Sequence, residues 1–356
     1  MGPEGAIRIG LRVAAGAVAG CEITSTRPDI AGNLLKGRTP ADITAIVPRL
    51  FTLCAASQAA ACTLALGAAA GQRADRQRLA ELHQAVVRER LSETALRVLL
   101  QWPLALGEAP SEDAVAAARH ARDGLANAPL ASALFGRPAA DWLDLTTPAA
   151  WWDWAAEGRT ASGRWVAANR ADLEAPTAGV ALLPAHPEGA WWSELAQHVL
   201  GDRDFERQPH WRGSAAETGA LARQAQDPLV AALLARDARA AARVAARLRE
   251  LAHALVAPSD AAMTLVGALS LGDGIGLGWA ETARGRLMHL VQLGAGRATT
   301  YRIVAPTEWN FHPRGALVAA LRGASASDAA ALKHRAHVLV EGLDPCVACM
   351  VEVVDA

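Results

Sequence analysis

Residues 7–13 (IRIGLRV) alternate apolar and polar positions, and residues 17–23 (AVAGCEI) follow after a small-residue turn. This period of two predicts a β-hairpin. Thr39-Pro40-Ala41-Asp42 predicts a helix start, with Thr39 as N-cap, proline at N1 and an acid at N3. The apolar pattern carries that helix to about Ala70, with a kink expected at Pro48. Residues 73–101 form a second amphipathic helix that ends before Pro103. Residues 191–200 predict a short helix, and Glu217 to about Leu255 one long helix bent near Pro228. Residues 285–293 and 299–304 flank Gly294-Ala295-Gly296 and predict a second hairpin. A last helix spans about 325–341. With no βαβ alternation and no repeat, the expected class is mostly α (α+β), with a helical core and small β-hairpins near both ends.

Composition bounds what such a fold does. The 356 residues are 52% hydrophobic and 20% charged, so the chain buries a core of its own. No linker stands out, and residues 1–356 are expected to form a single domain. Alanine supplies 84 residues and lysine only two, Lys36 and Lys333. A net charge of −1 excludes an overall basic nucleic-acid footprint. Glu4, Arg8 and Arg12 interrupt the N-terminus, so no targeting segment is expected there. The apolar stretch 53–71 is rich in small residues and reads as a buried helix rather than a membrane span. A cytoplasmic location is expected. Trp142, Trp151, Trp152, Trp154 and Trp165 read as buried packing. Gly272, Gly274, Gly276 and Gly278 match neither GxGxxG nor a P-loop, so they give little support to a phosphate site.

The five cysteines are Cys21, Cys54 and Cys62 near one end and Cys346 and Cys349 near the other. Their odd, clustered distribution argues against a secreted disulfide framework. Cys346-Val347-Ala348-Cys349 is a CxxC, which alone fits a redox dithiol, half a zinc site, part of an iron site or incidental thiols. Cys54 and Cys62 lie eight residues apart, about 80° from alignment on a helix, and make a poor closely spaced pair.

The flanking residues narrow these readings. DPCVAC at 344–349 resembles the C-terminal DPCxxC of nickel–iron hydrogenase large subunits. Six further segments resemble that family in order. They are Glu4-Gly5 with Arg8 (EGHLR), LLKGRTPAD at 34–42, Arg49 through Cys54 (RxCxxC), WRGSAAETGALAR at 211–223, ETARGRLMH at 281–289 and APTEWNFHPR at 305–314. The resemblance spans nearly the whole chain. It implies a hydrogenase large-subunit-like fold and, within it, the HupK/HoxV-type maturation proteins.

In the large subunits four thiolates hold nickel and an iron that carries one CO and two cyanides. By resemblance, Cys54 and Cys349 match the two bridging ligands and Cys346 one terminal nickel ligand, while Phe51 occupies the other terminal position. The iron unit Fe(CN)2CO is therefore the implied cargo, and nickel is not expected. Arg284 matches the arginine beside the open metal position and Thr307 the hydroxyl that bonds a cyanide; both are suitable donors to an anionic nitrogen. Arg49 and His289 match motif residues, and Glu4 matches a proton-relay glutamate. Gln58 replaces a motif histidine, while Gly32 and Glu352 replace a magnesium-binding glutamate and the C-terminal histidine, so no magnesium site is expected; with the sequence stopping at Ala356, no C-terminal cleavage step is expected either. Cys21 and Cys62 match no ligand and read as small buried hydrophobes.

The expected function is a non-catalytic maturation scaffold for the iron unit. Its expected partners are the iron-unit assembly proteins, the small hydrogenase chaperone and the apo large subunit, without nucleic acid or membrane. Two rivals are a catalytic subunit with an unusual ligand at position 51 and a quinone-site subunit like that of respiratory complex I.

Overall fold

The computed structural model describes residues 5–27, 31–124, 128–257 and 265–355. Glu4 lies outside them. Nine strands occur there: β1 (Ala6–Ala14), β2 (Ala17–Ser25), β3 (Ala181–Leu182), β4 (Ala216–Glu217), β5 (Val266–Gly272), β6 (Ile275–Thr282), β7 (Gly285–Gly294), β8 (Arg297–Val304) and β9 (Ala348–Asp355). The α+β class expected from the sequence holds.

The chain divides into two compact units. The first comprises Met1–Val86, Ala178–Ala222 and Thr264–Ala356; the second comprises Val87–Thr177 and Arg223–Met263.

In the first unit the predicted hairpin β1–β2 is antiparallel, and β9 adds to β1 in parallel to give the order β2-β1-β9. The register places Cys349 opposite Ile7, so the sheet joins sequences from both ends of the chain. β5 to β8 form a four-stranded antiparallel meander. The expectation of a single hairpin at 285–304 was too small, because the glycine-rich passage is itself strand. Its glycines have a packing role. A Cβ on Gly276 would lie 2.2 Å from the Ala65 carbonyl oxygen, and one on Gly278 2.2 Å from that of Ala61. Only glycine lets the helix Ala55–Ala69 lie this close to β6.

That helix is separate from Pro40–Leu50, which carries the predicted capping box between Thr39 and Asp42. Pro48 lies inside the first helix, and the chain breaks later, at Phe51 and the 3₁₀ turn Thr52–Cys54. Thr52–Ala69 is the one helical stretch among the described residues long and apolar enough to cross a membrane; 56% of it is buried inside the protein.

The second unit is helical. The expected helix over 217–255 is three pieces across the two units, Ala220–Arg223, Pro228–Leu234 and Arg239–Val256, with Asp227 capping the second. Residues 73–101 give the helix Arg76–Leu96, closed by a π turn at Arg97–Gln101. Trp142, Trp151, Trp152, Trp154 and Trp165 are all buried, as expected. Trp165 stacks on Trp102, and Trp142 on Phe135.

Candidate functional site

Cys54 is the N-cap of the helix Ala55–Ala69. The partial positive charge of a helix N-terminus favours negative charge at this sulfur. The thiol is half-buried.

Cys346 and Cys349 follow the helix Ala329–Leu343, whose C-cap Asp344 is left-handed with φ 54°. That conformation turns the chain from the helix toward β9. The Thr307 hydroxyl donates to Cys346 Sγ at 3.1 Å. Thr307 is buried in the short helix Pro306–Asn310. Cys349 Sγ lies 3.9 Å from the Val347 carbonyl oxygen.

Arg284 occupies the tight turn between β6 and β7. Its Nε lies 3.7 Å from Asp344 Oδ1, and both side chains are buried. The turn itself is tied down from two directions. The Arg284 carbonyl accepts from Asn310 Nδ2 at 3.2 Å, and Asn310 Oδ1 accepts from the Thr218 N–H at 3.0 Å. The Thr218 hydroxyl in turn accepts from the Arg286 N–H at 3.1 Å. Gly219 and Gly285, at φ 114° and 134°, face each other across this contact, where a Cβ on Gly219 would meet the Arg284 oxygen at 2.9 Å. Three separate motif segments, 211–223, 281–289 and 305–314, therefore converge on one hydrogen-bonded knot.

Arg27 is a residue that the sequence did not single out. Its Nη1 donates to Glu308 Oε1 at 2.8 Å. Burial pulls the Arg27 pKa down, but the Cys346 thiolate, the Glu308 carboxylate and the Cys54 thiolate outweigh it and raise the pKa. One guanidinium therefore senses two candidate ligands from opposite ends of the chain. For Glu308, burial outweighs the attraction of Arg27 and raises the carboxyl pKa. Neither residue lies at a position with a metal-ligand signature, and only the fold brings them beside the cysteines.

The other predicted residues divide. His289 is fully buried on β7, its pKa pushed down to about 3 by burial. Its Nε2 lies 2.8 Å from Gln58 Oε1 and its Nδ1 2.7 Å from the Tyr301 hydroxyl. Arg49 is exposed in the last turn of Pro40–Leu50. Phe51 packs on a core cluster with Leu35, Ile43, Val47 and Cys62. Glu352 is exposed on β9. Cys62 is buried, as expected, but it also bonds the Tyr301 hydroxyl. Cys21 is half-buried on β2. Among the described residues, no three His, Cys, Asp or Glu side chains stand in a group spaced to hold a metal ion.

Comparison with known proteins places this geometry. Residues 230–352 match the nickel-dependent hydrogenase family. The chain is 33% identical to the hydrogenase expression/formation protein HoxV of Cupriavidus necator, over 93% of this chain and 92% of that protein. It is 34% identical to the hydrogenase expression/formation protein HupK of Rhizobium leguminosarum bv. viciae, over 99% and 98%. Among solved structures, the reduced, active Ni-Fe-Se hydrogenase of Desulfomicrobium baculatum matches with a TM-score of 0.62 at 17% identity, covering 94% of this chain and 95% of that one. That likeness shows the fold, a hydrogenase large-subunit fold. The chain belongs to the HoxV/HupK family of hydrogenase expression/formation proteins.

Proposed function

We propose that this protein acts in hydrogenase maturation as a non-catalytic scaffold that receives, holds and passes on the Fe(CN)2CO unit. The observation that carries the reading is the contact between two motif segments, in which the Thr307 hydroxyl donates to Cys346 Sγ at 3.1 Å and the neighbouring Glu308 is paired with Arg27. Thiolates are soft ligands suited to low-spin iron, while guanidinium and hydroxyl donors suit anionic cyanide nitrogens. In this role Cys54 and Cys349 hold the iron, and Cys346 serves as a third thiolate for transfer by ligand exchange. Arg284 and Thr307 donate to the cyanides.

A four-thiolate nickel centre finds no support at position 51, where an aromatic ring packs into the core. The partners that fit are the proteins that assemble the iron unit, the small hydrogenase chaperone and the apo large subunit, which places the work in the cytoplasm. Complementation tests the role. In cells deleted for this gene, the intact chain restores hydrogenase activity, and a Cys54→Ala, Cys349→Ala double variant at equal abundance does not. Full restoration by the double variant overturns the scaffold reading.

A further inference from the structure

Gln58 replaces the histidine that the motif carries, and the structure gives it a task. Its side chain is buried four residues along the helix from Cys54. Gln58 Nε2 faces Cys54 Sγ at 3.8 Å, within the longer reach of a sulfur acceptor. Gln58 Oε1 faces His289 Nε2 at 2.8 Å, His289 Nδ1 faces the Tyr301 hydroxyl at 2.7 Å, and that hydroxyl bonds Cys62. Gln58, His289, Tyr301 and Cys62 are all buried. The result is a continuous hydrogen-bonded chain from a candidate iron ligand to a cysteine that no ligand role explains.

Such a chain has a direction, because each link can give only what it holds. An amide that turns its NH2 toward Cys54 presents its oxygen to His289, which must then carry its proton on Nε2. The bare Nδ1 then accepts from Tyr301. We infer that Gln58, His289 and Tyr301 are positioning residues that fix Cys54 as a hydrogen-bond acceptor, the state in which it binds a soft metal centre. Burial keeps His289 neutral, so it has one proton to place. Cys62 and Tyr301 likewise hold their protons, each with a pKa raised by burial.

The opposite direction requires the Gln58 amide to turn over from the orientation in which Nε2 faces Cys54. Thr44 also bonds Cys62, and its hydroxyl is already donated to the Pro40 carbonyl at 2.8 Å. If Cys62 gave its proton to Thr44, then Tyr301 would donate to Cys62 and His289 would carry its proton on Nδ1. Gln58 would turn its oxygen to accept from a Cys54 thiol.

The metal-binding use of this chain rests on the scaffold role, but its direction does not, so the test contains no iron. In the full-length protein labelled with ¹⁵N-histidine, the nitrogen shifts of His289 should report the Nε2–H tautomer. The Nδ1–H tautomer overturns the inference. A second measurement follows iodoacetamide alkylation of each cysteine at one fixed pH by mass spectrometry. Gln58→Met, folded by circular dichroism, should slow Cys54 about fivefold through loss of one donor and leave Cys346 unchanged. Equal Cys54 rates in the variant and the parent overturn the inference as well. A correct tautomer combined with failed complementation would instead locate the fault in the iron-unit reading.

Discussion

The Thr307 hydroxyl donates to Cys346 Sγ at 3.1 Å, although the two residues come from separate elements 39 positions apart. The contact survives only if Pro306–Asn310 is held against the turn that follows Ala329–Leu343. Thr307→Val keeps the shape and removes the donor. Hydrogenase maturation is expected to fall several-fold in complemented cells, while Thr307→Ser retains most of it. The lost bond costs about 1 kcal/mol of stability, so abundance should barely change. Equal maturation by both variants would show that the hydroxyl has no part in the site.

Arg27 forms a largely buried ion pair with Glu308, the neighbour of Thr307. Replacement by Gln removes the buried ion pair beside Thr307. We expect maturation to drop by an order of magnitude or more. The exposed pair Arg78–Glu81 is the control; Arg78→Gln should leave maturation intact, since exposed pairs contribute at most about 1 kcal/mol. Matching behaviour of the two variants in the same assay would argue against Arg27.

Gly278 is where the cysteine-bearing helix touches the meander. A Cβ there would meet the Ala61 oxygen at 2.2 Å and the Ala65 nitrogen at 2.4 Å, both backbone atoms that cannot swing aside. Gly278→Ala is expected to destabilise the fold by about 1–3 kcal/mol or more through overpacking. Gly10→Ala, with nothing within 4 Å of the added carbon, should be neutral. Urea denaturation midpoints decide this, and an unchanged midpoint for Gly278→Ala would contradict the packing.

How legible these parts are in the sequence follows from their range. The β1–β2 hairpin and the capping box are set by neighbouring residues and could be read directly. β6 could not, because its Gly276 and Gly278 answer to a helix two hundred residues earlier, and local pattern reads glycine as loop. β9 is invisible alone, since its partner β1 lies at the other end of the chain. Among candidate site residues, Cys54, Cys346, Arg284 and Thr307 carry motif signatures and can be picked out from the sequence. Arg27 and Glu308 carry no signature and matter only through contact. Gln58 read only as a departure from a motif histidine, yet its amide can both give and accept, and the buried chain uses both ends.

Stability should fall with acid in two windows. Burial holds His289 down to about 3 and His312 down to about 4, from an ordinary 6.5. Below 6.5 the unfolded chain takes up protons that the folded chain refuses, so stability is full above that pH and drains as pH falls toward these values. Each group contributes a slope of about 1.4 kcal/mol per pH unit. Glu250 adds a lower window. Burial raises its pKa, but Arg223 and Arg90 outweigh that and hold it at about 2, so its contribution is lost from about 4.5 downward. Thermal midpoints from pH 7 to 4 should fall, and a folded His289→Gln variant should fall less steeply. Parallel curves would contradict the burial of a neutral His289.

Glu250 itself anchors the second unit, with Arg223 at 2.6 Å and Arg90 at 2.9 Å. Glu250→Gln removes the carboxylate that Arg223 and Arg90 share and should cost about 3–5 kcal/mol. Hydrogen exchange along Arg239–Val256 should rise first. Unaltered protection there would show that the triad is not structural.

The central claim, that this chain carries an iron–cyanide–carbonyl unit on its cysteines, is tested most directly by infrared spectroscopy. The protein is purified without oxygen from cells expressing the hydrogenase assembly genes, with iron and nickel measured on the same sample. The account predicts cyanide and carbonyl stretching bands with iron and without matching nickel, and loss of those bands in the Cys54→Ala, Cys349→Ala variant. Absence of the bands from the intact protein, or their persistence in the double variant, would contradict it.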